Sequence, residues 1–238
     1  MVVSGRTDFL EGIALQELPQ MVRVAQFNQS FCRNAYVFRA GDQARFVYIL
    51  IKGRIRLSRV LESGKNVTFS LLYPPNIFGE ADVLGNATYS NDAQAVDDCE
   101  VCSIRKADFV EMLQLYPALL VRLHKILAER WKEAQEQIEI LATLGVREKV
   151  IHVLRRYAGY QHMVNETKLW YELQLSQLDI SDLAGITRES VNKVLGELKR
   201  ENVLQIRGPF IAVSSSLVND EWGKLFRCGA KKLTEERQ

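Results

Sequence analysis

The sequence predicts an α+β chain: a strand-rich N-terminal part, then one long helix, then two short helices with a hairpin. Three observations predict it. Between about residues 34 and 105, short apolar runs are cut by glycine and proline turns. From Pro117 the apolar spacing becomes an alternation of four and three. Near residue 185 a glycine separates two short amphipathic segments, and two further strand-like runs follow.

The strands come first. Tyr36-Val37-Phe38 runs into Ala40-Gly41-Asp42, and Phe46 to Ile51 runs into Lys52-Gly53. Ile55 to Leu61 alternates up to Glu62-Ser63-Gly64-Lys65, Val67 to Leu72 stops at Pro74-Pro75-Asn76, and Ala93 to Ile104 alternates more loosely. Strands at this spacing with such turns indicate an antiparallel sandwich or barrel.

The long helix comes next. Leu120, His124, Leu127, Trp131, Ala134, Ile138 and Leu141 form a four-three seam, flanked by Arg122, Lys125, Glu129, Arg130, Lys132, Glu133 and Glu136. That is the pattern a partner helix packs against, so the seam reads as a dimer interface. Packing on the chain's own domain is the alternative. A helix of this length spans about 40 Å. Gly145 marks the boundary. The predicted organisation is residues 1–116 as a sensor domain, 117–144 as the dimerisation helix, 145–213 as a second domain and 214–238 as a C-terminal extension.

Composition limits the function classes. The 238 residues are 47% hydrophobic and 25% charged, with net charge +2, as in a soluble globular protein. No apolar run is long enough to span a membrane, so no membrane partner is expected. The N-terminus does not read as a secretory signal. Four cysteines are too few for a disulfide scaffold. The expected location is cytoplasmic. Residues 1–144 carry 16 Lys+Arg against 17 Asp+Glu, and residues 145–238 carry 15 against 12, so the positive end lies in the C-terminal part. No nucleophile–base pair, phosphate loop or metal motif is present, so no catalytic or metal-binding residues are assigned.

The most informative stretch begins at Gln177. Gln177 to Ala184 reads as a short helix, Gly185-Ile186-Thr187 breaks it, and a second helix runs from Thr187 to Leu198. Thr187 suits an N-cap, because its hydroxyl accepts a free amide of the first turn. Ile180, Leu183, Ala184, Ile186, Val191, Val194, Leu195 and Leu198 supply the buried face. Arg188, Glu189, Ser190, Asn192 and Lys193 remain outside, and such residues meet base edges when the helix lies in a major groove. Val203 to Ile206 and Phe210 to Val213 form a hairpin around Arg207-Gly208-Pro209. Helix-turn-helix plus hairpin is a winged helix. The predicted interface with double-stranded DNA is Gln177, Thr187, Arg188, Glu189, Ser190, Asn192 and Lys193. The rival from another class is a ligand-sensing module acting through protein contacts, which has no use for Arg188, Glu189 and the wing.

With these elements in order, the sequence resembles the CRP/FNR family of bacterial transcription regulators over about residues 20–213. The marks are Gly41-Asp42, Tyr48-Ile49-Leu50-Ile51-Lys52-Gly53, Gly64-Lys65, Phe78-Gly79-Glu80, the long helix and Thr187-Arg188-Glu189-Ser190-Val191. The resemblance implies a β-roll of the cyclic-nucleotide-binding type, a dimerisation helix and a C-terminal winged helix-turn-helix. It also implies a homodimer on a palindromic site and RNA polymerase as a partner.

The resemblance places an effector pocket at Phe78, Gly79, Glu80, Tyr89, Ser90, Arg130 and Ala134. In cyclic-AMP-binding relatives an arginine followed by serine holds the phosphate. Here Ser90 matches, but the arginine position reads Tyr89, and the adenine-contacting Thr-Ser pair reads Ala134-Gln135. A phosphodiester buried without a cation is costly, so cyclic AMP is not expected, and a vestigial pocket stays open as a reading. A branch resembling the cyanobacterial nitrogen regulator binds 2-oxoglutarate; Val47 to Leu72 and Arg130 look close to it, but it too has an arginine where Tyr89 stands. Haem, through His124 on the seam, is the other alternative. Iron–sulfur relatives carry an N-terminal cysteine cluster, whereas this chain has only Cys32 there. Cys99 and Cys102 lie three apart, which sends strand side chains to opposite faces, so they read as buried apolar residues.

Overall fold

A computed structural model describes residues 25–219 apart from 63, 65, 86, 159–169 and 209. The chain divides into two units between Ala142 and Thr143.

The first unit is a two-sheet roll. One sheet has the order β1-β8-β3-β6, with β1 Ala25–Phe31, β3 Phe46–Lys52, β6 Asn76–Phe78 and β8 Cys99–Arg105. The other has the order β2-β7-β4-β5, with β2 Tyr36–Phe38, β4 Ile55–Val60, β5 Asn66–Leu72 and β7 Asp92–Ala95. Every pairing is antiparallel. Val47, Leu50, Ile55, Ile77, Phe78, Ala93, Val101 and Ile104 fill the core. The run from Ala93 to Ile104, read as one loose strand, is two strands, β7 and β8.

Three helices complete the unit: α1 Glu80–Gly85, α2 Lys106–Leu115 and α3 Pro117–Thr143. Phe109, Met112 and Leu113 of α2 are buried, at the spacing of one helical face. α3 buries Leu119, Leu123, Ile126 and Ile140. The predicted seam lies on another side: Leu120, Trp131, Ile138 and Leu141 are 52%, 66%, 68% and 44% exposed. His124 and Ala134 are also exposed, and Leu127 is half-buried. The helix thus has two apolar stripes: one buried, with Leu119, Leu123 and Ile126 joining the core of the roll, and one exposed.

The second unit contains α4 Val146–Ala158, α5 Gln177–Ala184, α6 Arg188–Arg200 and α7 Ser215–Asn219. Its three-stranded sheet has the order β10-β11-β9, with β9 Trp170–Leu173, β10 Leu204–Arg207 and β11 Phe210–Ser214. Val150, Val153, Leu154 and Tyr157 of α4 are buried, as are Val191, Val194, Leu195 and Leu198 of α6. The sequence ends this domain at residue 213 and begins an extension. Instead, Ser214 pairs with Trp170, Leu217 is buried, and Arg155 Nε donates to the Leu217 carbonyl at 2.7 Å. The extension's Lys224, Arg227, Lys231 and Lys232 lie outside the described residues. No described helix is long and apolar enough to cross a membrane.

Candidate functional site

The second unit presents α6, the helix expected to meet DNA. Ser176 and Asp179 start α5 with a reciprocal capping box: Ser176 Oγ accepts from the Asp179 amide at 3.1 Å, and Asp179 Oδ2 accepts from the Ser176 amide at 2.9 Å. Gly185 ends α5 at φ +65, a left-handed conformation that glycine adopts without a Cβ penalty. Thr187 then caps α6, its Oγ1 accepting from the Ser190 amide at 3.2 Å. Ser190 Oγ lies 2.9 Å from the same oxygen. Both hydroxyls therefore fix the helix start.

Arg188, Glu189, Asn192 and Lys193 stand exposed along the first two turns of α6, Ser190 is half-buried, and Gln177 is half-buried at the start of α5. Arg147 of α4 holds the other end of α6, with contacts to Glu197 at 3.4 Å and Glu201 at 2.7 Å. These partly exposed pairs orient the helix more than they stabilise it. The acids near the end of α6 are thus engaged with Arg147, and the exposed side chains near its start are mostly cationic or neutral.

The first unit holds the residues of the expected pocket. Gly79 has φ +81, and a Cβ there would lie 3.2 Å from Tyr89 Cε1 and 3.5 Å from Phe38 Cε1. The glycine therefore makes room for two aromatic rings. Tyr89 is 3% exposed and stacks on Phe38 with centroids 3.7 Å apart. Phe38 also contacts Tyr48 and Phe78. The Tyr89 hydroxyl donates to the Phe46 carbonyl at 2.6 Å and accepts from the Phe46 amide at 3.2 Å. Burial pushes the phenol above its ordinary pKa range, so Tyr89 is neutral and brings no charge to the arginine position. Its side chain is a packed part of the core.

Glu80 is 1% exposed and pairs with Arg130 of α3. The same guanidinium donates to Asn76 Oδ1 at 2.7 Å and to the Ile77 carbonyl. Burial raises the Glu80 carboxyl, opposed chiefly by the Arg130 charge. Ser90 donates to Asp82 at 2.5 Å. Ala134 is exposed, on the stripe that carries Trp131 and Ile138. The structure thus joins Glu80 to Arg130, and packs Tyr89 against Gly79 and the core aromatics. Sequence reasoning missed that Asn76 and Ile77 share Arg130; nothing local marks a carbonyl as a guanidinium acceptor.

Cys99 and Cys102 are both buried. The Cys99 thiol donates to the Arg54 and Asp97 carbonyls, each at 3.2 Å. Burial pushes the Cys102 thiol up to about 11, which leaves it protonated and unreactive.

The cyclic nucleotide-binding domain family matches residues 28–116, and the Crp-like helix-turn-helix domain family matches residues 148–214. The Cyclic AMP receptor protein of Thermus thermophilus is 27% identical over 185 residues, covering 78% of this chain and 82% of that protein. The Transcriptional activator protein FnrL of Cereibacter sphaeroides is 26% identical over 197 residues, covering 81% and 78%. The structure of FixK2 from Bradyrhizobium japonicum has the same fold, with TM-score 0.72 at 20% identity over 82% of this chain and 96% of that one. A cyclic nucleotide-binding domain followed by a Crp-like helix-turn-helix domain, with these relatives along most of its length, makes this chain a member of the CRP/FNR family of DNA-binding transcription regulators.

Proposed function

We propose that the protein works as a cytoplasmic homodimer on a palindromic promoter site, where it contacts RNA polymerase. The observation that carries the reading is the exposed set Arg188, Glu189, Asn192 and Lys193 on a capped helix beside a wing. Guanidinium matches guanine O6 and N7 with two parallel bonds, so Arg188 reads a G·C pair. Glu189 accepts from cytosine N4 on the other strand. Lys193 offers a point charge, and its base preference is softer. In cyclic-AMP-type relatives the Arg-Glu pair reads TGTGA-like half-sites, and a related palindrome is expected, with half-site centres about 34 Å apart.

Selection from random DNA tests this. Arg188→Ala costs about 1–3 kcal/mol and relaxes preference at one G·C pair per half-site. Lys199→Ala and Arg200→Ala at most weaken binding uniformly, through phosphates. If wild type and Arg188→Ala enrich the same sequences with equal information at every position, Arg188 is not a base reader.

We further propose that the effector position is occupied by the protein's own groups. Tyr89 supplies a ring where a phosphate would need a cation. A 2-oxoglutarate site would draw on Arg130, whose guanidinium already serves Glu80, Asn76 and Ile77. Haem ligation would draw on His124, which is exposed on α3. Calorimetry with cyclic AMP is expected to show no saturable heat. A micromolar dissociation constant would mean that the phosphate is held elsewhere in the roll.

A further inference from the structure

Gly196 lies two turns into α6, in the middle of its outer face. At 100° per residue it points almost the same way as Glu189, away from buried Val191, Val194, Leu195 and Leu198. Asn192 and Lys193 precede it by four and three positions, Lys199 and Arg200 follow by three and four, and all four are exposed. A Cβ on Gly196 would meet nothing within 4 Å among the described residues, and its φ is not left-handed. Neither packing among the described residues nor backbone conformation therefore requires glycine. Glycine in a helix interior is nevertheless destabilising relative to alanine, because its backbone loses more freedom on folding. Arg200 Nε lies 3.3 Å from the Gly196 carbonyl, to which it donates. A bare stretch of backbone is thus framed by three cations and an amide.

We propose that Gly196 is a positioning residue for DNA: its missing side chain lets the outer face of α6 seat against the duplex more closely than a Cβ-bearing residue permits. The occupant is the duplex because Lys193, Lys199 and Arg200 surround the gap with charge complementary to phosphate. Asn192 and Lys193 reach the base edges only when the helix sits that deep. The inference rests on α6 being the recognition helix.

The test compares Gly196→Ala, Gly196→Leu and Arg188→Ala with the parent, by thermal melting and by titration of fluorescent duplexes. One duplex carries the selected site and the other a scrambled sequence. Gly196→Ala is expected to raise Tm by a few degrees while weakening binding to the selected site about tenfold. Gly196→Leu weakens it further. The loss is smaller on the scrambled duplex, because only a fully seated helix approaches so closely. Unchanged affinity in both Gly196 variants, with Arg188→Ala impaired, overturns the proposal and leaves the recognition helix standing. Unchanged affinity in all three overturns the recognition helix as well. A lowered Tm for Gly196→Ala also overturns the proposal, because the glycine would then serve the fold itself.

Discussion

Trp131→Glu is expected to leave the protein monomeric at concentrations where the parent, if it forms the proposed homodimer, sediments as a dimer. The indole is 66% exposed in the single chain, and Leu120, Ile138 and Leu141 share its side of α3. A continuous apolar stripe of this kind marks an interaction surface, and its four-three spacing fits a second copy of the same helix. A glutamate there loses the burial of a large ring, worth about 3 kcal/mol at most. It also places carboxylates in a dry seam. A symmetric dimer bears the change twice, so a total of about 6 kcal/mol raises the dissociation constant by about four orders of magnitude. Lys132→Glu, one residue away on an exposed position outside the seam, is the control and keeps the dimer. Sedimentation showing Trp131→Glu still dimeric would remove the seam as the interface.

Arg130→Met destabilises the roll by about 3–5 kcal/mol, the usual range when one partner of a buried ion pair is removed. Methionine keeps the bulk and loses the charge, so the cost falls on Glu80, which stays buried with the Asp82 charge acting on it. Burial already raises Glu80, and without Arg130 the carboxyl titrates higher still. A carboxyl whose folded pKa exceeds its unfolded one contributes stability below the unfolded value and loses it as pH rises. The deficit is therefore largest near pH 8 and shrinks as pH falls toward about 4.3, the ordinary glutamate range. Urea unfolding at several pH values measures it. Glu80→Gln combined with Arg130→Met recovers most of the loss, since the buried Glu80 carboxylate, left without its partner beside Asp82, is then gone. A pH-independent deficit, or a double variant as unstable as the single one, would show that packing and not charge is the cause.

Much of the architecture is legible in the sequence where local pattern and tertiary burial agree. The alternation from Phe46 to Leu72, the break at Gly185 and the cap at Thr187 are of this kind. β1 is not: AQFNQSF mixes polar and apolar residues because it pairs on one side only, with β8. α2 carries Phe109, Met112 and Leu113 at helical spacing, yet it follows β8 directly, and Pro117 draws the eye to the later start. α1 is too short to show a period. At the effector position, sequence shows that Tyr89 lacks a charge. It does not show that the ring stacks on Phe38, because that partner comes from a strand 51 positions earlier. Glu80 and Arg130 are both visible as polar residues near the site; that Arg130 pairs with Glu80 Oε1 depends on how α3 passes the β6–α1 corner.

Arg130 and Trp131 are consecutive, and successive helical residues point about 100° apart. One grips the β6–α1 corner through Glu80, Asn76 and Ile77, while the other opens to solvent. They are geared to a common axle. If α3 rolls about its axis, both side chains sweep the same angle. With side-chain tips about 6 Å from the axis, a roll of 10° moves each by about 1 Å, more than a close-packed interface absorbs without repacking. Any rotation that strains the grip at Arg130 therefore arrives at Trp131 undiminished, with every hydrogen bond inside the helix intact.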